Sequence, residues 1–272
     1  MRLLCALCVV LIPAQLWAYP TDKSAQDRTQ IRRLKWQENV NRGEARGRKV
    51  PAGGQWTSDR VKLRLSGNQD FDLNTETEKD PELQAALEGI LKRSRFRRYN
   101  IAVLDISNPD APRYAGVNEQ NQQTPGSVAK LLVATGFLNE LAKRFPEDIE
   151  AREKLLKEHS VAADVWAMPN HHEVPVVKNE EATKVSIRRV FNGDRFTLWE
   201  WMDHALSPSS NASASMLWRE ATLMHLMGEE YPPAQYGPEL YKRWDRETWT
   251  AAAFETLKAP IVAAGLDPEA FY

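Results

Sequence analysis

The order of elements predicted between residues 80 and 141 limits the possible folds of this chain more than any other feature. Asp80-Pro81-Glu82 indicates a helix start, because an N-cap residue, a proline at the first helical position and an acid in the first turn follow one another. Residues 100–106 and 113–117 then have the composition of two strands joined as a hairpin. A polar loop leads from the hairpin into an apolar helix at 131–141. The sequence therefore predicts an α+β protein.

Ser127 and Lys130 lie three residues apart at the start of the second of these helices. At that spacing two side chains share one helical face, one turn apart. A serine hydroxyl is a weak nucleophile at neutral pH and needs a base beside it. A lysine amine is such a base when burial or nearby cations lower its pKa. The pattern predicts nucleophilic chemistry, although Ser-x-x-Lys on its own occurs by chance in many proteins.

Composition narrows the class of protein further. The chain has 272 residues, which is enough for one large domain or two small ones. The 36 Lys and Arg residues balance the 37 Asp and Glu residues, so nothing in the overall charge favours a nucleic-acid or anionic-membrane partner. Hydrophobic residues make up 42 % of the chain, which is sufficient for a core.

Residues 1–18 have the features of a secretory signal peptide. Arg2 supplies positive charge, residues 3–12 form an apolar run too short to span a bilayer, and Ala18 is a small residue at the expected cleavage site. An uncleaved anchor is the main alternative. Cys5 and Cys8 are the only cysteines and both lie in this segment, so a mature chain has no disulfide and no cysteine–metal site. The segment predicts a periplasmic or secreted protein.

Residues 19–79 are polar, charged and rich in turn-forming residues, and they predict a mostly irregular N-terminal extension. Within it, only residues 61–65 alternate in the manner of a short strand. The basic residues of this extension are typical of a solvated linker, and contact with an anionic polymer is the alternative. A folded domain is expected over residues 80–272.

A second motif, Ser209-Ser210-Asn211, lies between two segments with helical patterns. With Ser127, Lys130 and the preceding hairpin, it makes residues 80–223 resemble the serine β-lactamases and penicillin-binding transpeptidases. This resemblance implies that Ser127 is the nucleophile, that Lys130 is its base and that Ser209 relays a proton. It also implies that Asn211 binds the substrate acyl group or holds Lys130.

The family's third motif, Lys-Thr-Gly or a variant of it, does not occur after Asn211, and that part of the sequence has no convincing strand pattern. We expect a domain in which the antiparallel sheet is incomplete, and we prefer a truncated chain to a complete but degenerate one. A sheet reduced to one hairpin would leave the apolar face of the Ser127 helix exposed to solvent. The expected result is a poor or inactive catalyst, which stoichiometric labelling of Ser127 by a fluorescent penicillin would contradict.

Other polar residues are also candidates for a role in the site. Glu247 is the only candidate for a deacylating base, but a surface helix with charge pairs explains it better. The sequence His171-His172-Glu173 suggests metal ligands. A polar loop is preferred there, because adjacent histidines should point apart and no third ligand is near in sequence. His204 and His225 are expected to pack in helices. Core packing is the expectation for three tryptophans, Trp199, Trp201 and Trp218, and a place in the lining of the cleft is the alternative for one of them.

The resemblance implies a periplasmic serine hydrolase acting on β-lactam or acyl-D-Ala amide bonds, with no cofactor and with a β-lactam or a peptidoglycan stem peptide as its partner. A non-catalytic binding module for the cell wall or a protein, on the same scaffold, is the first alternative. The second is a helical secreted protein in which both motifs arose by chance.

Overall fold

A computed structural model describes residues 27–49, 77–93, 99–108 and 110–271. The predicted signal peptide at residues 1–18 and the predicted strand at residues 61–65 lie outside the described residues. In chain order the main elements are α1 (Arg32–Arg42), α2 (Pro81–Arg93), β1 (Ile101–Asp105), β2 (Arg113–Val117), α3 (Ala129–Arg144), α4 (Ile149–Glu158), β3 (Ser160–Ala162), β4 (Val174–Val177), β5 (Val185–Arg188), β6 (Arg195–Thr197), α5 (Leu198–Leu206), α6 (Asn211–Met227), α7 (Pro238–Tyr241) and α8 (Arg246–Ala263). Short 3₁₀ turns occupy Gly126–Val128, Gly228–Glu230 and Pro268–Phe271.

The chain divides into two compact units, one of residues 56–125 and a larger one of residues 1–55 with 126–272. In the smaller unit, β1 and β2 form an antiparallel hairpin in which Ile101 pairs with Val117. The carboxylate of Asp80 accepts a hydrogen bond from Leu83 N at 2.8 Å and so caps α2. The predicted helix start and hairpin are both confirmed.

The larger unit is built around α6, which packs against α3, α5 and α8. Because it has neighbours on several sides, α6 is buried over most of its length rather than along one stripe. Burying a large apolar side chain contributes about 1.5–3 kcal/mol, so this core is the main source of stability. Its fully buried large apolar side chains include Phe137, Leu141, Leu198, Trp201, Met216, Leu217 and Leu223.

The crossing of α3 and α8 depends on Gly136. A Cβ added at this position would lie 2.4 Å from the backbone oxygen of Thr256. We expect Gly136→Ala to lower the free energy of unfolding by about 1–3 kcal/mol, because two backbones must move apart. Gly89→Ala in α2, where an added Cβ meets open space, is the control and should not destabilise the protein. Denaturant titration measures both changes, and equal stability of the two variants would contradict this packing.

Short strands in the larger unit add two antiparallel pairs, β3 with β6 and β4 with β5. The sequence predicts a sheet of one hairpin. These two strand pairs correct that prediction. Beyond Asn211 the described residues form helices, turns and loops and no strand, in agreement with the sequence pattern. The protein is mixed α+β, mainly helical, with small antiparallel sheets.

The prediction of an irregular extension over residues 19–79 is wrong for α1. This helix ends at Gly43 in the left-handed conformation, with φ of 84°, and it buries Leu34 and Val40. Arg32 forms an ion pair with Glu200, and Arg33 forms one with Asp203, both on α5. Two of the basic residues of this segment are therefore paired with carboxylates 168 and 170 positions away, which a solvated linker does not explain. None of the described helices has the length and apolarity needed to cross a membrane.

Candidate active site

Ser127 and Lys130 lie where a 3₁₀ turn passes into α3. Ser127 is the central residue of the turn Gly126–Val128, and Lys130 is the second residue of α3. The spacing of three places both side chains on one face, as the sequence predicts. Ser127 is exposed to solvent, whereas only 9 % of Lys130 is exposed. An accessible hydroxyl therefore lies next to a buried amine.

Three side chains close a triangle of hydrogen bonds. Lys130 Nζ lies 3.1 Å from Ser127 Oγ and 3.2 Å from Ser209 Oγ. Ser209 Oγ donates to Ser127 Oγ at 2.8 Å. Ser209 comes from a turn 79 residues beyond Lys130, so the contact depends on the packing of the larger unit rather than on local sequence. The structure thus brings together three of the four residues that the two motifs predict.

Burial changes the acid–base behaviour of Lys130. Desolvation lowers the pKa of its amine below the usual value for lysine, because burial penalises the charged form. Within the described segments no carboxylate lies within ion-pair distance of this amine to offset that penalty. A larger fraction of Lys130 is therefore neutral at a given pH than of a solvated lysine, and the neutral amine can accept a proton.

The backbone of Ser209 has an unusual conformation. Its φ is +61°, in the left-handed region that residues other than glycine seldom adopt. The next residue, Ser210, caps α6 by accepting a hydrogen bond from Ser213 N at 3.2 Å, and its own N–H donates to His204 O at 3.0 Å. Asn170 Nδ2 donates to Ser209 O at 3.3 Å. Such a conformation persists only where its surroundings hold it, and it is common at functional sites.

Asn211 is the first residue of α6 and is exposed. Its side chain forms no hydrogen bond with Lys130 or with any other side chain in the described part of the chain. Of its two implied roles, holding Lys130 is therefore not seen, and binding the substrate stays a prediction.

Glu247 lies in the first turn of α8. It lines a cavity of 560 Å³ together with His225, Asp245 and Glu255, and none of the three triangle residues lines that cavity. Asp245 caps α8 by accepting a hydrogen bond from Thr248 N at 2.7 Å. The start of α8 is thus an ordinary capped helix, which fits the surface-helix interpretation of this segment better than a deacylating base.

The histidine predictions have mixed outcomes. The ring centroids of His171 and His172 lie 4.1 Å apart with their planes tilted by 34°, so the two side chains do not point apart as expected. No group of three possible metal ligands occurs among the described residues. His204 is buried against Phe196, as predicted. His225 lies in a helix as predicted, but it is exposed and faces Glu140 at 3.4 Å, so the prediction that it is a packing residue is wrong.

The predicted packing role of the tryptophans is confirmed. Trp201 is fully buried, and its Nε1 donates to Val161 O at 3.1 Å. Trp199 is partly buried against the core of the larger unit. Trp218 is also partly buried, and its Nε1 donates to Ala253 O at 2.9 Å. The indole N–H groups of Trp201 and Trp218 are thus bound to backbone oxygens, whereas that of Trp199 is buried without a hydrogen-bond partner among the described residues.

Sequence reasoning missed Asn170, which touches the backbone of Ser209. It lies in the connection between β3 and β4, a segment interpreted only as a polar loop. Met168 N donates to Ser215 Oγ at 3.0 Å, which fixes this connection to α6 next to Ser209. No local pattern marks such a residue, because its partner is 39 positions away.

No protein-family model, no curated protein and no solved structure matches this chain.

Proposed function

We propose that this protein is a serine hydrolase of the β-lactamase and penicillin-binding type that forms an acyl-enzyme at Ser127. The observation that carries the proposal is the closed triangle of hydrogen bonds among Ser127, Lys130 and Ser209. A hydroxyl, a buried amine and a second hydroxyl at 2.8–3.2 Å are what a lysine-activated serine needs. The order of the two motifs and the hairpin before them support the same family.

In the proposed reaction, neutral Lys130 takes the proton of Ser127 while Ser127 Oγ forms a bond to the carbonyl carbon of a β-lactam or an acyl-D-Ala amide. The carbon–nitrogen bond then breaks, and the proton passes from Lys130 through Ser209 to the leaving nitrogen. The product is an ester on Ser127 and a free amine, so atoms and charge balance. Asn211 would bind the acyl side chain of the substrate. No cofactor takes part.

The oxyanion of the tetrahedral intermediate needs two hydrogen-bond donors. The backbone N–H of Ser127 is one of them, and in this family the second comes from a strand that carries Lys-Thr-Gly. The described residues after Asn211 contain no strand. Loss of one oxyanion donor typically costs about 10²–10³-fold in rate, so acylation by this chain should be slow.

The proposed localisation is periplasmic or secreted, because residues 1–18 have the features of a secretory signal peptide. There the partner is a β-lactam or a peptidoglycan stem peptide. The balanced charge gives no support to a nucleic-acid partner.

Labelling with a fluorescent penicillin tests the proposal. We expect slow, incomplete labelling of the full chain, complete loss of the label in Ser127→Ala, and unchanged labelling in Thr135→Ala. Thr135 is an exposed hydroxyl on the same helix, so it is the matched control. A label that persists in Ser127→Ala, or no label at all on the folded wild type, would contradict the proposal. The second of these results would favour the non-catalytic binding module.

A further inference from the structure

The turn that carries Ser209 is tied to the N-terminal helix α1 by one arginine. Arg33 donates through Nε and Nη2 to the two carboxylate oxygens of Asp203, both at 2.5 Å. The exposed fractions of the two side chains are 8 % and 10 %. A paired, planar and nearly buried contact of this kind has little freedom to shift.

The same pair also holds Ser207, which ends α5 two residues before Ser209. Ser207 Oγ donates to Asp203 Oδ1 at 3.0 Å, and Arg33 Nη2 reaches Ser207 Oγ at 3.4 Å. Only Pro208, with its restricted φ, separates Ser207 from Ser209. The direction in which the chain leaves α5 is therefore set by a three-residue contact that begins on α1.

Ser209 needs such support because of its left-handed backbone. The conformation at φ +61° is unfavourable for serine unless both flanking residues are fixed. On one side Ser210 is held by its cap of α6 and by His204 O. On the other side Ser207 N–H donates to Asp203 O at 2.8 Å, and the side chain of Ser207 contacts Asp203 and Arg33. Removing the side-chain contacts leaves Ser207 fixed by that one backbone hydrogen bond.

We infer that Arg33 is a positioning residue that sets the location of Ser209 Oγ through Asp203 and Ser207. The inference depends on the proposed function and adds to it a role for the N-terminal helix. Arg33 touches neither Ser127 nor Lys130 in the described contacts. Its effect should therefore be confined to the step that needs Ser209, which is protonation of the leaving nitrogen.

That restriction allows a test that separates positioning from simple loss of structure. A penicillin has a nitrogen leaving group that must be protonated, whereas p-nitrophenyl acetate has a leaving group that needs no proton. We expect Arg33→Gln and Ser207→Ala to slow acylation of the full chain by penicillin about 10- to 100-fold, since small displacements of a catalytic group have effects of this size. Acylation by p-nitrophenyl acetate should remain at the wild-type rate.

Arg32→Gln is the matched control. Arg32 lies beside Arg33 on α1 and also forms an ion pair with α5, but its partner Glu200 lies at the other end of that helix, in the first turn. Arg32→Gln should leave the ratio of the acylation rate with penicillin to the acylation rate with p-nitrophenyl acetate at its wild-type value. Ser207→Ala keeps the Arg33–Asp203 pair, so it tests the turn even if Arg33→Gln unfolds α1.

The outcomes separate the two proposals. A wild type that neither donor acylates at Ser127 would contradict the proposed function. A wild type acylated at Ser127 whose rate ratio is the same in Arg33→Gln, Ser207→Ala and Arg32→Gln would overturn only the role of Arg33. Equal slowing with both donors would also overturn it, because that result indicates a general loss of structure.

Discussion

Replacing Lys130 with methionine is expected to slow acylation of Ser127 by about 10²–10⁴-fold while making the fold more stable. The loss of rate follows from removing the base that contacts both Ser127 and Ser209, since general-base catalysis contributes about this much. The gain in stability follows from removing an amine that is desolvated without a carboxylate partner in the described residues. Methionine has a similar length and shape, so the packing should change little.

The lowered pKa of Lys130 also determines how the effects on stability and on acylation change with pH. The pKa of Lys130 is lower in the folded protein than in the unfolded chain because burial disfavours its charged form. Between the two pKa values the unfolded state binds more protons, so the free energy of unfolding of the wild type rises with pH there. Lys130→Met should therefore be most stabilising at pH values below the pKa of Lys130 in the folded protein, and its advantage should shrink as the pH rises from there towards the pKa of the unfolded chain. Acylation by the wild type should rise as the pH passes through the folded-state pKa and level off above it.

Stopped-flow acylation and thermal melts across pH measure both effects. Lys143→Met is the control, because Lys143 is an exposed lysine on the same helix that pairs with Glu140. It should change neither the acylation rate nor its pH profile. A Lys130→Met variant that is less stable than the wild type at neutral pH, or that keeps the wild-type rate, would show that this amine is a structural group.

Glu220→Ala should destabilise the larger unit by about 3–5 kcal/mol. Glu220 is fully buried, and its Oε1 accepts a hydrogen bond from Arg219 Nε at 2.7 Å. Its Oε2 accepts hydrogen bonds from Tyr231 at 2.8 Å and Tyr236 at 2.7 Å. Removing the carboxylate leaves the buried guanidinium of Arg219 with one remaining acid, Asp164, and the Tyr231 hydroxyl without its acceptor, while the Tyr236 hydroxyl keeps only its contact with His159 Nε2 at 2.9 Å.

The same hydrogen-bond network shifts the pKa of the tyrosine Tyr236. Burial and the nearby carboxylate of Glu220 raise the pKa of Tyr236 above its usual value, since both disfavour a phenolate. Tyr236 is therefore protonated at neutral pH and can donate to Glu220.

Denaturant titration of Glu220→Ala tests this account of the core. Glu239→Ala is the control, because Glu239 forms only an exposed pair with Lys242, worth about 0–1 kcal/mol. The double variant Arg219→Met with Glu220→Leu removes both charges and should recover much of the loss. A loss of less than 1 kcal/mol in Glu220→Ala would contradict a buried, mutually dependent network.

Local patterns were sufficient for much of the fold. The cap at Asp80, the hairpin and the helix that carries Lys130 follow from residue types within one or two turns of each other. Ser127 and Ser209 are 82 residues apart, so local patterns do not predict their contact. Its prediction needed both motifs and the resemblance to a family. The packing of α3 against α6 brings the side chains of Ser127, Lys130 and Ser209 within hydrogen-bond distance of one another.

The features that the sequence did not predict depend on partners far along the chain. The helix α1 has too few apolar residues to be recognised as part of a core, and it is held by Arg32 and Arg33 pairing with α5. The strands β3 to β6 have three or four residues each, which is too short for a clear alternation. Asn170 contacts a backbone oxygen, and this leaves no pattern in the residue types.

The central claim is that Ser127 is the activated nucleophile of this protein. Peptide mass spectrometry of the full chain after reaction with a fluorophosphonate probe tests it most directly. We predict a single adduct on the peptide that contains Ser127, and its near-complete loss in Lys130→Met. An adduct on another hydroxyl, an adduct on Ser127 that forms equally fast without Lys130, or no adduct on the folded protein would contradict the claim.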